Sequence, residues 1–108
     1  MHFTEVRVAG YFIDAVLRDP DKSISVHGDG EYADVEKSRE YFTIRDNMGE
    51  CGFDDVGVWS DERDDYVAWF QFVYGNVTST SEPMEVISDY TANEYGDNII
   101  KRVEWCTE

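Results

Sequence analysis

Two histidines, two cysteines and twenty-four carboxylates are the residues of this sequence that could do chemistry. Neither His2 nor His27 is joined by a serine or cysteine in a nucleophile motif, so nucleophilic catalysis has no scaffold. Cys51 and Cys106 lack the paired spacing of a zinc site, and no second Cys or His lies within a few residues of either. The stretch from Asp19 opens like a calcium-binding loop. Its sixth position, however, is Ile24 where glycine makes the sharp turn, and its twelfth is Gly30 where glutamate supplies two oxygens. No glycine-rich loop with a lysine is present to cradle phosphates. With 24 acids in 108 residues, neighbouring carboxylates are expected from abundance alone and do not identify an acid–base pair. These readings predict a chain that is not an enzyme and uses no metal and no cofactor.

What remains is the arrangement of the acids. Asp54, Asp55, Asp61, Glu62, Asp64 and Asp65 place six negative charges in twelve residues, opposed only by Arg63. Asp29, Glu31, Asp34 and Glu36 form a second group. Along a strand, alternate side chains point the same way about 6.6 to 6.8 Å apart, close to two duplex steps at roughly 3.4 Å each. Asp34 and Glu36 can thus offer carboxylates at phosphate-like intervals. The candidate partner-binding residues are Asp34, Glu36, Asp54, Asp55, Asp61, Glu62, Asp64 and Asp65, with Trp59 or Tyr66 as an aromatic anchor. The expectation is that this surplus charge gathers on one side of the fold.

Nine Lys and Arg against 24 Asp and Glu give a formal charge of −15, where small soluble domains carry roughly 2 to 8. Direct nucleic-acid binding and docking on an anionic membrane are both disfavoured by repulsion. A basic protein surface is favoured, with fast, salt-sensitive capture. The N-terminus lacks the regions of a signal peptide and no apolar run approaches the roughly 20 residues of a membrane span, which predicts a cytoplasmic protein. There the two cysteines stay reduced and serve packing.

The elements that must position these residues follow from periodicity. At 108 residues and 42% hydrophobic, the chain fits a single domain, 1–108, with a core of its own. Val6, Ala9, Phe12, Ile13, Val16 and Leu17 recur at helical intervals between Thr4, a candidate cap, and the stop at Asp19-Pro20, with β-branched Val6 and Val8 leaving a strand open for the first residues. Ser23–Val26 and Tyr32–Glu36 flank a glycine-containing reversal and predict a hairpin. Ser38 is a candidate cap for a second helix carrying Tyr41, Ile44 and Met48 and ending near Gly49, although Tyr41-Phe42-Thr43-Ile44 could also be a strand. Val56–Trp59 and Tyr66–Tyr74 predict a second hairpin. Its second arm, Val67–Val73, is apolar on both alternating faces and reads as a central strand packed on each side. A strand over Met84–Tyr90 precedes a last helix with Tyr95, Ile99, Val103 and Cys106 on one stripe, capped by Asn93 or Thr91. The expected fold is α+β: an antiparallel sheet of about five strands with two or three flanking helices, ordered α-β-β-α-β-β-β-α. Asn76-Val77-Thr78 matches a glycosylation sequon but has no secretory context.

The strings Ser23-Ile24-Ser25-Val26-His27-Gly28-Asp29-Gly30-Glu31, Phe72-Val73-Tyr74-Gly75-Asn76 and Glu85-Val86-Ile87-Ser88-Asp89-Tyr90-Thr91-Ala92-Asn93 occur in that order, with Ser38 between the first two. In this the chain resembles a family of small acidic phage, plasmid and proteobacterial proteins of uncharacterised activity, which carry ISV-DGE, YGN and VISDYT-N patterns. It departs from them at His27-Gly28. The resemblance implies a mobile-element or bacterial setting and no catalytic residue. Joined to the charge, it leads to an expected function: a phage-type inhibitor of a host nucleic-acid-binding defence protein, anti-CRISPR or anti-restriction, acting as an acidic DNA mimic. The alternative is an accessory interaction module that uses an apolar patch around Trp59, Trp69 or Trp105, its charge serving solubility.

Overall fold

Alternating apolar residues in three long segments give one face of a sheet a continuous apolar surface, and the helices gather on that face. The computed structural model describes residues 8–28, 32–49, 52–74 and 85–107. The elements run α1 (Val8–Leu17), β1 (Lys22–His27), β2 (Val35–Ser38), α2 (Tyr41–Asp46), β3 (Phe53–Ser60), β4 (Asp65–Tyr74), β5 (Glu85–Tyr90) and α3 (Glu94–Thr107). This is the α+β order expected from periodicity. The strands form one antiparallel sheet, β2-β1-β3-β4-β5.

Ile24 and Val26 of β1, Val56 and Val58 of β3, and Ala68, Phe70 and Phe72 of β4 are buried on the helix side. Onto them α1 sets Ala9, Phe12, Ile13 and Val16, spaced so that all four share one flank. Phe12 sits at the centre, its ring edge-on to Phe70 at 4.8 Å and to Phe72 at 5.1 Å. Burying each of these side chains stabilises the fold by about 1.5 to 3 kcal/mol. α2 adds Ile44 and α3 adds Ile99 and Val103.

Polar contacts fix the helices on this layer. Glu85 at the start of β5 accepts the Ala9 amide in the first turn of α1 at 3.0 Å and pairs with Arg45 of α2 at 2.6 Å. One carboxylate thereby answers a free amide at a helix N-terminus and fastens two helices to the sheet. At the other end of α1, the Arg39 guanidinium donates to the carbonyls of Leu17, Asp19 and Lys22. α3 is capped by Asn93, whose Oδ1 accepts the Gly96 amide at 2.8 Å. Gly96 looks like a weak point in a helix, yet a Cβ there would lie 2.1 Å from the Thr91 carbonyl oxygen.

Three expectations change. Ser38 does not cap α2: it ends β2, and the cap position is Glu40, whose amide donates to the Ser38 hydroxyl. β2 begins at Val35, later than the predicted Tyr32, because pairing with Val26 starts only there. β4 is central in the sheet but is not packed by helices on both faces. Among the described residues, its second face, with Trp69 and Gln71 exposed, carries no helix and is flanked by side chains of the sheet itself. The candidate cap Thr4, the turn glycine Gly30, Cys51, the Gly75-Asn76 turn and the sequon lie outside the described residues, as does the side chain of Cys106. Among the described residues, no helix is long and apolar enough to cross a membrane.

Candidate partner-binding face

The pleat sends every second side chain away from the helices, and register collects them into rows. One row runs Ser25, Gly57, Trp69 across β1, β3 and β4; the next runs His27, Asp55, Gln71, Asp89 across β1, β3, β4 and β5. Gly57 is the reason the first row is flat. A Cβ there would meet the Trp69 ring and Tyr66 Cδ1 at 2.9 Å, so only glycine lets the indole lie across the strand.

Around that gap an aromatic shelf assembles. The Tyr66 ring is 4.6 Å from Trp69 and 5.1 Å from Trp59, and His27 closes on Trp69 at 5.5 Å. Lys37 Nζ sits 3.7 Å from the Trp59 ring centroid, a cation held on a π face. Ser25, fully buried, locks the shelf from below: its hydroxyl oxygen accepts the Tyr66 hydroxyl at 3.0 Å and the Lys37 amide at 2.9 Å. Lys37 takes a φ of 47° at the β1–β2 bulge to make that bond.

Carboxylates border the shelf at both ends. On one side, Asp55 and Asp89 stand in one row two strand spacings apart, about 9 to 10 Å, with Gln71 between them. With His27, Trp69 and Thr91 they line an open depression of about 530 Å³. On the other side the β3–β4 turn carries exposed Asp61, Glu62, Asp64 and Asp65. Asp61 accepts the Trp59 Nε1 proton at 3.1 Å, joining turn to shelf.

The turn is anchored by a residue that sequence reasoning passed over. Asp21 accepts the Ser60 hydroxyl at 2.6 Å, the Glu62 amide at 2.8 Å and Lys22 Nζ at 2.9 Å. These bonds, led by Ser60, hold its carboxyl at about 2, below the ordinary 3.8. Asp19, which accepts the Asp21 amide and Lys22, is lowered as well. The acids of the apparent calcium loop thus serve the hairpin beside them. Among the described residues, no group of three or more His, Cys, Asp or Glu is gathered to hold a metal.

Asp54 is a correction. The acidic run groups it with the partner-binding residues, but β3 points it inward, where it is 1% exposed. Its Oδ2 accepts the Tyr74 hydroxyl at 2.7 Å and the Gly49 amide at 2.8 Å. Burial, then this carboxylate, push the Tyr74 phenol far above its usual range. Asp54 is a structural anchor for the turn after α2, and no partner can reach it.

The remaining acids are divided between the two ends of the sheet and do not form one cluster. Asp34 immediately precedes β2, its amide donating to the Val26 carbonyl of β1, and Asp55 pairs in register with His27, next to Val26. The turn acids lie beyond the Lys22–Ser60 pair, four residues back along β1, or roughly 13 Å away. Glu36 lies between, exposed on edge strand β2. Trp59 and Tyr66 are half-buried within the shelf. Trp69, which the sequence reading puts in a strand packed on both faces and in the alternative apolar patch, and Asp89, which it does not single out, complete the set. Compared with known proteins, the sequence matches no family, no curated protein and no solved structure.

Proposed function

We propose that the chain is a binding protein for a basic, nucleic-acid-binding protein surface, which it occupies as an acidic decoy. The observation that carries this reading is the uncovered sheet face, where an aromatic shelf lies between two exposed carboxylate groups. Acids at either end and flat rings between them offer a phosphate-binding groove charge and stacking surface together. Asp55, Asp61, Glu62, Asp64, Asp65 and Asp89 supply the charge, with Asp34 and Glu36 at the β2 edge. Trp59, Tyr66 and Trp69 supply the anchor. Arginines of the partner would meet carboxylate and indole at once in the depression beside Trp69. In a phage setting the target is a host defence protein such as a CRISPR effector or restriction enzyme, and the mechanism is competition with its nucleic acid.

The test is capture from a bacterial lysate at low salt on the immobilised chain, elution with rising salt, and competition with duplex DNA or RNA. The reading expects nucleic-acid-binding proteins that DNA or RNA displaces, with affinity falling steeply as salt rises. Neutralising Asp61, Glu62, Asp64 and Asp65 together should abolish capture. Captured proteins that ignore both salt and nucleic acid would refute it.

A second reading has its own support in the contiguous Trp59–Tyr66–Trp69 shelf: an accessory interaction module with an apolar interface. It expects binding nearly indifferent to salt but lost on Trp69→Ala, where an aromatic anchor contributes 2 kcal/mol or more.

A further inference from the structure

The helical side of the molecule holds a surface of the opposite character. α1 and α3 pack side by side, and between their solvent flanks runs a groove. Tyr11, Ala15 and Arg18, at helical intervals, line it from α1; Lys101, Arg102 and Trp105 line it from α3. Its volume, about 520 Å³, falls within the roughly 300 to 1,000 Å³ of small-ligand sites.

Three of the chain's nine basic residues converge here, against one carboxylate, Asp14, among the described lining residues. Among the described residues, none of the three makes an ion pair, although acids outnumber bases by 24 to 9. Of the other described cations, Lys22 is engaged by Asp19 and Asp21, Arg45 by Glu85, Arg39 by helix-end carbonyls and Lys37 by the Trp59 ring, while Arg63 on the β3–β4 turn stands alone among acids. Trp105 stands beside the free cations with 78% of its surface exposed. Unpaired guanidinium groups next to an exposed indole, in a concavity, are complementary to a ligand with an apolar body and an anionic head.

We infer that the α1–α3 groove binds a small amphiphilic monocarboxylate. Its aromatic or alkyl body lies against Trp105, Tyr11 and Ala15, and its carboxylate accepts from Arg18 and Arg102, with Lys101 adding charge. A single negative charge is selected because Asp14 lies in the groove and the field of a −15 chain repels polyanions. The site is on the helix layer and does not depend on the sheet-face reading.

The test uses the full ¹⁵N-labelled chain titrated with naphthalene-2-carboxylate and, separately, with the neutral alcohol of the same ring system, 2-naphthylmethanol. The expected result is amide shifts confined to residues 11–18 and 101–105, with the alcohol at least about tenfold weaker. Arg18→Gln with Arg102→Gln, and separately Trp105→Ala, should each weaken the acid at least about tenfold. All three positions are exposed, so an unchanged circular dichroism spectrum is expected to accompany the loss. No shift at millimolar acid, shifts elsewhere on the chain, equal binding of the alcohol, or undiminished binding by the folded variants would each overturn the proposal.

Discussion

Asp54 and Asp55 are adjacent, identical in chemistry and opposite in role, and substituting each by alanine separates the two roles. Asp54→Ala removes the acceptor of the Tyr74 hydroxyl at 2.7 Å and of the Gly49 amide at 2.8 Å, in a site 1% exposed. Hydrogen bonds to a charged group contribute about 1.5 to 3 kcal/mol each. Part of the sum is offset because the variant no longer buries a carboxylate. The net destabilisation is therefore about 3 kcal/mol, a large share of the 5 to 15 kcal/mol by which domains are typically stable. Tyr74→Phe removes the first of these bonds alone and should cost about half as much. Asp55→Ala removes an exposed carboxylate from the open face, so its effect on stability stays within about 0.5 kcal/mol while binding to a basic partner weakens. Urea unfolding followed by circular dichroism measures the first two effects, and salt-dependent capture measures the third. If Asp54→Ala unfolds within about 0.5 kcal/mol of the parent, or if Asp55→Ala is as destabilising as Asp54→Ala, the inward assignment of β3 is wrong.

Gly96→Ala should destabilise, against a propensity gain of about 1 kcal/mol, because its Cβ would sit 2.1 Å from the Thr91 carbonyl oxygen; thermal unfolding reads the sign. Asp21, with its carboxyl lowered from 3.8 to about 2, contributes stability that is present above pH 3.8 and lost as pH falls towards 2. The stability gap between parent and Asp21→Asn should thus be constant near neutrality and shrink between about pH 4 and pH 2, measured by denaturant unfolding across that range.

The order of the elements was legible because their periods are clean: α1 repeats at three and four, and β3 and β4 alternate. The inward direction of Asp54 was not. Alternation with Val56 and Val58 places it on the core face, but a carboxylate there reads as solvent-exposed unless its partners are known. Those partners, Tyr74 and Gly49, are brought to it by the β3–β4 pairing and the α2 turn, which no local pattern announces. β4 misled for a related reason. Val67, Trp69 and Val73 are as apolar as buried residues, yet Trp69 lies in the space Gly57 leaves, flanked by Tyr66 and His27, and among the described residues no helix packs above it. Ser38 has the chemistry of a cap and does receive an amide, but the strand claims its backbone two residues too early for α2. The site residues on the turn were visible as a run of acids; the anchor Asp21 was not, since the turn groups it holds, on Ser60 and Glu62, lie 39 and 41 positions away.

The placement of the three tryptophans gives the chain an unusual optical property. Phenylalanines and aliphatic residues fill the interior, while Trp59 and Trp69 lie on the open sheet face and Trp105 on the helical groove. Tryptophan emission, excited beyond the tyrosine band, therefore watches the two proposed contact surfaces and leaves the interior dark. Replacing Trp105 with phenylalanine leaves a chain whose signal comes from one surface alone, and replacing Trp59 and Trp69 leaves the other, so an unlabelled titration can tell which side of the molecule has been occupied.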